Sequence, residues 1–131
     1  MKTILVDAAD TLTVKNEDEK FIVFQPLLEL LESFSNPKIV VTNANDEELI
    51  TYGIDKVPYE VFTLKHEPNK TDPTFFKKLM DQYELTAEDI VYFEHTPTAV
   101  ESAQSLGITS YYYDDSKRDL NALKKFLQEN L

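Results

Sequence analysis

Four apolar runs in the sequence each lead to polar side chains whose types could act together on a phosphoryl group. A carboxylate can attack phosphorus, while a hydroxyl, backbone N–H groups and a lysine can hold and neutralise the phosphate oxygens. Further carboxylates can bind Mg²⁺, a cation that prefers oxygen ligands. The polar residues are Asp7 after the first run, Thr42 and Asn43 after the second, Lys70 in the loop after the third, and Glu94 and His95 after the fourth.

The apolar runs themselves predict strands. They are short and continuous, which is typical of strands that are buried on both faces of a parallel sheet. Segments with helical spacing separate them, so the chain predicts an α/β, three-layer Rossmann-like fold with a mainly parallel five-stranded sheet. Because the loops at the carboxyl ends of such strands open on one edge, the polar residues are expected to converge there. The predicted strands are residues 3–6, 38–41, 59–64, 90–93 and 108–113.

Five segments between and after these runs predict helices. Proline or a capping side chain stands near the start of most of them, and Gly53 and Gly107 stand where two of them should end. Residues 14–20 are polar and acidic, and they predict a surface loop or flap. The predicted helices are residues 26–34, 46–52, 73–83, 97–106 and 116 to the end.

The bulk composition narrows the classes of function. The 131 residues include 13 Lys and Arg against 24 Asp and Glu, for a formal net charge of −11, which disfavours nucleic acid and anionic membranes as partners. The sequence has no cysteine, as expected for a cytoplasmic protein, and this excludes a disulfide framework and a thiolate metal site. Its two glycines exclude a glycine-rich phosphate loop. We expect a single domain over residues 1–131 without a membrane segment.

The order and spacing of the motifs resemble those of the haloacid dehalogenase-like (HAD) superfamily, whose members are largely Mg²⁺-dependent phosphatases and phosphotransferases. The family's first motif is an apolar strand followed by Asp-x-Asp-x-Thr-Leu, and Asp7, Thr11 and Leu12 match it here. The resemblance covers nearly the whole chain and implies a HAD-like core. The other three motifs are matched by residues 39–43, 70–76 and 90–108.

The resemblance implies a role for each candidate residue. Asp7 would be the nucleophile that forms an aspartyl-phosphate, and it would also be a ligand of Mg²⁺. The backbone carbonyl of Ala9 and the Glu94 side chain would be the other protein ligands of the metal. The residues implied to hold the phosphate are Thr42, Asn43 and Lys70.

Three positions depart from the family pattern and weaken these expectations. Ala9 replaces the second Asp, the general acid and base, whose loss typically lowers the rate about a hundred- to ten-thousand-fold; Asp10, one residue later, is expected to point elsewhere. His95 and Ala99 stand where the family usually carries metal-binding acidic or amide groups. Since imidazole serves Mg²⁺ poorly, a weakened Mg²⁺ site is predicted. His95 is either a proton donor near neutral pH or a loop residue without a role, and for His66 the loop interpretation is favoured.

Two functions from different classes fit these residues. The first is a HAD-like phosphohydrolase of reduced activity that acts on a phosphorylated small molecule or a phosphoprotein. The second is a catalytically impaired binding or regulatory module that keeps the phosphate pocket and works with a protein partner. The segment between the first two motifs is too short for a cap domain, so an open site is expected. A receiver domain has similar residue types, but Lys70 follows the third strand here instead of the fifth.

Overall fold

The structure is a computed structural model that describes residues 1–131. Its centre is a five-stranded parallel sheet. Seven strands occur in all, and two of them form a separate antiparallel hairpin. In chain order the strands are β1 (Thr3–Asp7), β2 (Thr13–Lys15), β3 (Phe21–Val23), β4 (Lys38–Thr42), β5 (Glu60–Thr63), β6 (Ile90–Glu94) and β7 (Thr109–Tyr112). The order across the main sheet is β5-β4-β1-β6-β7, and every neighbouring pair is parallel. The predicted mainly parallel five-stranded sheet is confirmed.

Helices cover both faces of this sheet. Side chains of successive β1 residues point to opposite faces, so Ile4 and Val6 join one buried cluster and Leu5 joins another. The first cluster includes side chains of α1 and α5, and the second includes side chains of α3 and α4. The three predicted layers are therefore present. The helices are α1 (Gln25–Glu32), α2 (Asp46–Thr51), α3 (Pro73–Tyr83), α4 (Pro97–Gln104) and α5 (Leu120–Asn130).

The capping residues define two helix starts that lie near the edge of the sheet. The Asn45 side chain accepts a hydrogen bond from the Glu48 backbone N–H at 2.9 Å, and the Glu48 carboxylate accepts one from the Asn45 N–H, which together form a capping box for α2. The Asp72 side chain caps α3 by accepting a hydrogen bond from the Thr74 N–H at 2.9 Å. Such caps satisfy N–H groups that have no partner within the helix. None of the five helices is long and apolar enough to cross a lipid bilayer.

The interpretation of residues 14–20 as a loop missed a hairpin. β2 and β3 pair antiparallel, and Asn16 holds the turn between them by accepting hydrogen bonds from the Asp18 and Lys20 N–H groups at 2.9 and 3.0 Å. Each strand has three residues, which is too short for an alternating pattern to stand out in the sequence. The hairpin begins six residues after Asp7 and is the next element along the chain after β1.

Candidate active site

The strand register brings the candidate residues to one edge of the sheet. In the parallel ladders Asp7 is opposite Val41 and Val6 is opposite Phe93, so the ends of β1, β4 and β6 lie side by side. A cavity of about 260 Å³ opens at this edge. Seven residues were predicted from the sequence to form the site, and all but Glu94, which is fully buried, line this cavity: Asp7, Ala9, Thr42, Asn43, Lys70 and His95.

Asp7 is buried, with 1% of its surface exposed, and its two carboxylate oxygens have different surroundings. Oδ1 accepts one side-chain hydrogen bond, from Lys70 Nζ at 2.8 Å. Oδ2 accepts hydrogen bonds from Thr11 Oγ1 at 2.7 Å and from the His95 backbone N–H at 3.1 Å, and it also contacts His95 Nδ1. A carboxylate oxygen has about two lone pairs. Oδ2 is therefore saturated, whereas Oδ1 keeps capacity for one more partner.

Lys70 lies between two acidic side chains. Its Nζ donates to Asp7 Oδ1 and, at 2.7 Å, to Glu94 Oε1, and only 6% of the residue's surface is exposed. Burial lowers the pKa of the Lys70 ammonium, but the charges of Asp7 and Glu94 raise it further, so the net pKa lies above its ordinary value. For Asp7, burial raises the pKa, and the Lys70 charge and the His95 hydrogen bond outweigh burial and lower it. Both groups are thus ionised at neutral pH.

Thr42 is the last residue of β4 and Asn43 follows it, and hydrogen bonds hold both side chains in place. The Asn43 side-chain oxygen accepts a hydrogen bond from the Lys70 backbone N–H at 2.7 Å, which ties the Lys70 loop to the end of β4. Thr42 Oγ1 accepts a hydrogen bond from the Ala44 N–H at 3.2 Å. A hydroxyl has one donor and an amide group has two. The Thr42 hydrogen and the Asn43 NH₂ group consequently remain available to a ligand in the cavity.

Glu94 accepts hydrogen bonds on both of its oxygens. Oε1 accepts from Lys70 and from the Tyr92 hydroxyl, and Oε2 accepts from the Thr96 N–H at 3.1 Å and lies 3.3 Å from His95 Nδ1. The sequence interpretation treated Tyr92 only as a strand residue. Burial, together with the charges of Glu94 and Asp7, raises the pKa of the Tyr92 hydroxyl, which therefore stays a donor. The sequence did contain a signal for this contact, because Tyr92 stands two residues before Glu94 and residues two apart share a face of a strand.

His95 lies where a metal-binding carboxylate was expected. Its Nδ1 contacts Asp7 Oδ2 and faces Glu94, and its Nε2 lies 4.0 Å from Asp10 Oδ2. Burial lowers the pKa of the His95 imidazole, but the hydrogen bonds to Asp7 and Glu94 raise it, for a net pKa of about 10. His95 thus contacts other candidate residues, and its role as a proton donor stays a prediction. The expectation that Asp10 points elsewhere was wrong, because Asp10 lines the cavity.

His66 also lines the cavity, although it was interpreted as a loop residue without a role. Its Nε2 contacts Glu48 Oε1 at 2.6 Å and its Nδ1 contacts Asn69 Oδ1 at 2.8 Å. The hydrogen bond to Glu48 raises the pKa of His66, and burial opposes this without reversing it. Tyr52 stands nearby in the cavity wall. Sequence reasoning missed the pair because Glu48 lies in α2, after β4, and His66 lies in the loop after β5, so they become neighbours only when β4 and β5 are adjacent.

Mg²⁺, the cation that the resemblance implies, does not fit these residues as they lie. Mg²⁺ requires near-octahedral oxygen coordination, but Asp7 Oδ2 and both oxygens of Glu94 already face donors of the chain. The position of a further ligand is occupied by Ala99, which is buried and apolar. Among the predicted protein ligands, two oxygen atoms can still accept another partner: the Ala9 carbonyl oxygen and Asp7 Oδ1.

Comparison with known proteins identifies the fold through structures. No family model matches the chain, and no curated protein sequence does. A D,D-heptose 1,7-bisphosphate phosphatase from B. bronchiseptica, solved with magnesium and phosphate, is similar with a TM-score of 0.72 and 15% identity over 100% of each chain. A HAD-family enzyme from Bacteroides thetaiotaomicron has a TM-score of 0.72 and 12% identity over 94% of this chain and 98% of that one.

A third structure supports the same assignment. A HAD-superfamily hydrolase of subfamily IA from Geobacter sulfurreducens has a TM-score of 0.65 and 13% identity, over 86% of this chain and 89% of that one. At identities this low the similarity establishes the fold and not the activity. The sequence motifs and the strand order agree with it, and the described residues contain no cap domain. The chain therefore has a HAD-like fold, and its resemblance to HAD enzymes extends from four sequence motifs to the three-dimensional structure.

Proposed function

We propose that this protein is a HAD-like phosphohydrolase of reduced activity that uses Asp7 as its nucleophile. The observation that carries the proposal is the state of the Asp7 carboxylate. It is buried beside the cavity, it is ionised, and its Oδ1 accepts only the Lys70 hydrogen bond. A lone pair on Oδ1 is therefore free to attack phosphorus, while the Lys70 ammonium stabilises the negative charge that develops there.

The reaction has two steps. In the first, Asp7 Oδ1 forms a bond to phosphorus as the ester P–O bond breaks, and the leaving oxygen takes the electron pair and a proton. In the second, water attacks phosphorus, the bond between phosphorus and Oδ1 breaks, and inorganic phosphate and the Asp7 carboxylate are released. The Thr42 hydroxyl and the Asn43 amide, which line the same cavity, hold the phosphate oxygens during both steps.

We expect reduced activity because the leaving oxygen needs a proton and the site has no efficient donor for it. Ala9 carries no acid at the position where the family has one. His95 Nε2 can donate a hydrogen bond, but with a pKa of about 10 it releases its proton reluctantly. General catalysis is most efficient when the pKa of the acid lies near the working pH. The leaving group is consequently protonated largely by solvent, and simple esters with poor leaving groups turn over slowly.

The class of substrate follows from the open cavity and the charge of the protein. No cap domain covers the cavity within the described chain, so a phosphorylated small molecule or a phosphorylated protein segment can reach Asp7. The net charge of −11 disfavours nucleic acid and anionic membranes. The absence of cysteine agrees with the cytoplasm as the location.

The test is phosphate release by the parent protein and by Asp7→Asn, measured with an aryl phosphate and with acetyl phosphate, in Mg²⁺ and in EDTA. We expect turnover in the parent and none in the variant, because an amide is not a nucleophile. Asp55→Asn is the matched control, since Asp55 is exposed and lies outside the cavity. An Asp7→Asn protein as active as the parent would exclude this mechanism.

A second candidate function is a phosphate-binding module without turnover. It is favoured by one specific observation: the chain's own donors saturate Asp7 Oδ2, and Ala9 supplies no acid. In this case a protein partner covers the open cavity. Inorganic phosphate would then raise the melting temperature of the folded protein, while no substrate of the assay above is turned over.

A further inference from the structure

His95 occupies the space between the two carboxylates that a divalent cation would join. Its Nδ1 contacts Asp7 Oδ2 and lies 3.3 Å from Glu94 Oε2. A nitrogen that faces two carboxylate oxygens carries a hydrogen, since an unprotonated nitrogen would be repelled by both. The imidazole therefore acts on both acids as a donor, at the place where a cation would act on both as a Lewis acid.

The Lys70 ammonium already joins the same two carboxylates. Its Nζ lies 2.8 Å from Asp7 Oδ1 and 2.7 Å from Glu94 Oε1. Donors of the chain therefore bridge the two acids twice, once through Lys70 and once through His95, which contacts Asp7 Oδ2 and faces Glu94 Oε2.

The free coordination positions lead to the same conclusion. Glu94 is held by three donors from three different residues, so rotating it towards a metal would leave a buried ammonium and a buried hydroxyl with fewer partners. Leaving buried polar groups without partners costs free energy. The helix that follows brings Ala99, which is buried and has no ligand atom in its side chain.

We propose that the His95 side chain takes the place of the divalent cation in this site, so that the protein binds a tetrahedral oxyanion such as phosphate beside Thr42 and Lys70 without Mg²⁺. The first part of this proposal stands on the contacts of His95 alone. The second part rests on the phosphate pocket of the proposed function, and the experiment below separates the two.

The experiment measures melting temperature in four conditions: EDTA, millimolar Mg²⁺, EDTA with inorganic phosphate, and Mg²⁺ with inorganic phosphate. Ionic strength is held constant with NaCl, because any salt screens the repulsion within a protein of net charge −11. For the parent we expect no saturable rise with Mg²⁺ alone and the same rise with phosphate in EDTA and in Mg²⁺. A saturable rise with Mg²⁺ alone, or a phosphate effect that requires Mg²⁺, would overturn the proposal.

Two variants at position 95 test whether a Mg²⁺ response can be gained. His95→Asp restores an acidic pair with Glu94 and should acquire a saturable, Mg²⁺-dependent rise in melting temperature. His95→Asn removes the imidazole without adding a carboxylate and should not. Equal responses of the two variants to Mg²⁺ would contradict the proposal, and if His95→Asp does not fold, the parent measurements decide it alone. A parent that phosphate fails to stabilise in either condition refutes the phosphate pocket, and with it the proposed function, while the Mg²⁺ measurements still decide the role of His95.

Discussion

The two sides of the cavity differ in what they retain. On one side lie the Thr42 hydroxyl and the Lys70 ammonium, which we propose bind phosphate oxygens. On the other side Ala9 offers no acid, and the His95 ring lies between two carboxylates. Both sides are built on the same parallel sheet edge, so the backbone does not account for the difference. The comparison teaches that one sheet edge can match a family's motifs on one side and carry different side chains at the family's acidic positions on the other.

The largest effect on stability is expected from Lys70→Met, which removes the ammonium from the side of the cavity that carries Thr42 and Lys70. The substitution removes the positive charge that lies between the buried carboxylates of Asp7 and Glu94, and removing one partner of a buried ion pair typically costs about 3–5 kcal/mol of unfolding free energy. Phosphate should also no longer raise the melting temperature. Urea unfolding of the parent and the variant measures the first effect.

The control for Lys70→Met is Lys65→Met. Lys65 also pairs with a carboxylate, Asp46 at 3.0 Å, but both side chains are largely exposed, and exposed pairs contribute about 0–1 kcal/mol. Equal losses of stability in the two variants would mean that the Lys70 pairs behave as surface pairs despite their burial.

The second-largest effect, on the rate of phosphate release, is expected from Ala9→Asp. This substitution places a carboxylate on the side of the cavity that carries Ala9 and His95. Ala9 lines the cavity, so a carboxylate there can reach the leaving group. General acid and base catalysis typically contributes about 10²–10⁴-fold, and we expect a gain near the lower end because the His95 ring still contacts Asp7 Oδ2 and faces Glu94. Phosphate release from an alkyl ester is the measurement. Ala9→Asn adds similar volume without an acid, and an equal gain in that variant would show that acidity is not the cause.

The smallest effect concerns the exposed pair at the rim, His66 and Glu48, in contrast to the buried pair of His95 and Asp7. The pKa of His66 is raised, so its contribution to stability is present below its unfolded-state pKa and is lost as the pH rises through the raised value. The Asn45 N–H and His66 lower the pKa of Glu48, so that contribution is lost as the pH falls through the lowered value. The difference in melting temperature between the parent and His66→Gln should therefore be largest between these two limits. A difference that does not vary with pH would contradict this assignment.

Much of the fold could be predicted because its strands are continuous apolar runs. The strands that end at Asp7, Thr42 and Glu94 were expected within one residue of their observed ends. The convergence of Lys70 on them followed from the parallel order alone. The β2–β3 hairpin could not be predicted in this way, because its strands are too short to show a pattern.

Parts of the candidate site lay beyond sequence reasoning because they depend on where side chains turn. The sequence showed His95 at the metal-ligand position, but not that its Nδ1 would contact Asp7 and face Glu94. The Thr11 hydroxyl was recognised as part of a motif without its partner, which is Asp7 Oδ2. A weakened Mg²⁺ site stays a prediction, but the sequence could not show that Asp7 Oδ2 and both oxygens of Glu94 already face donors of the chain.

The shape of the cavity depends in part on a residue that does not line it. Gly53, with a φ of 66°, follows α2, and a Cβ there would lie 2.9 Å from the carbonyl oxygen of Phe21 in β3. The Phe21 ring packs edge-on against Tyr52 at a centroid distance of 5.1 Å, and Tyr52 lines the cavity. Any side chain at position 53 would push the hairpin away and leave the aromatic wall unsupported. The position of this wall of the cavity thus depends on the close approach of two backbones, and it can change without any substitution among the residues that line the cavity.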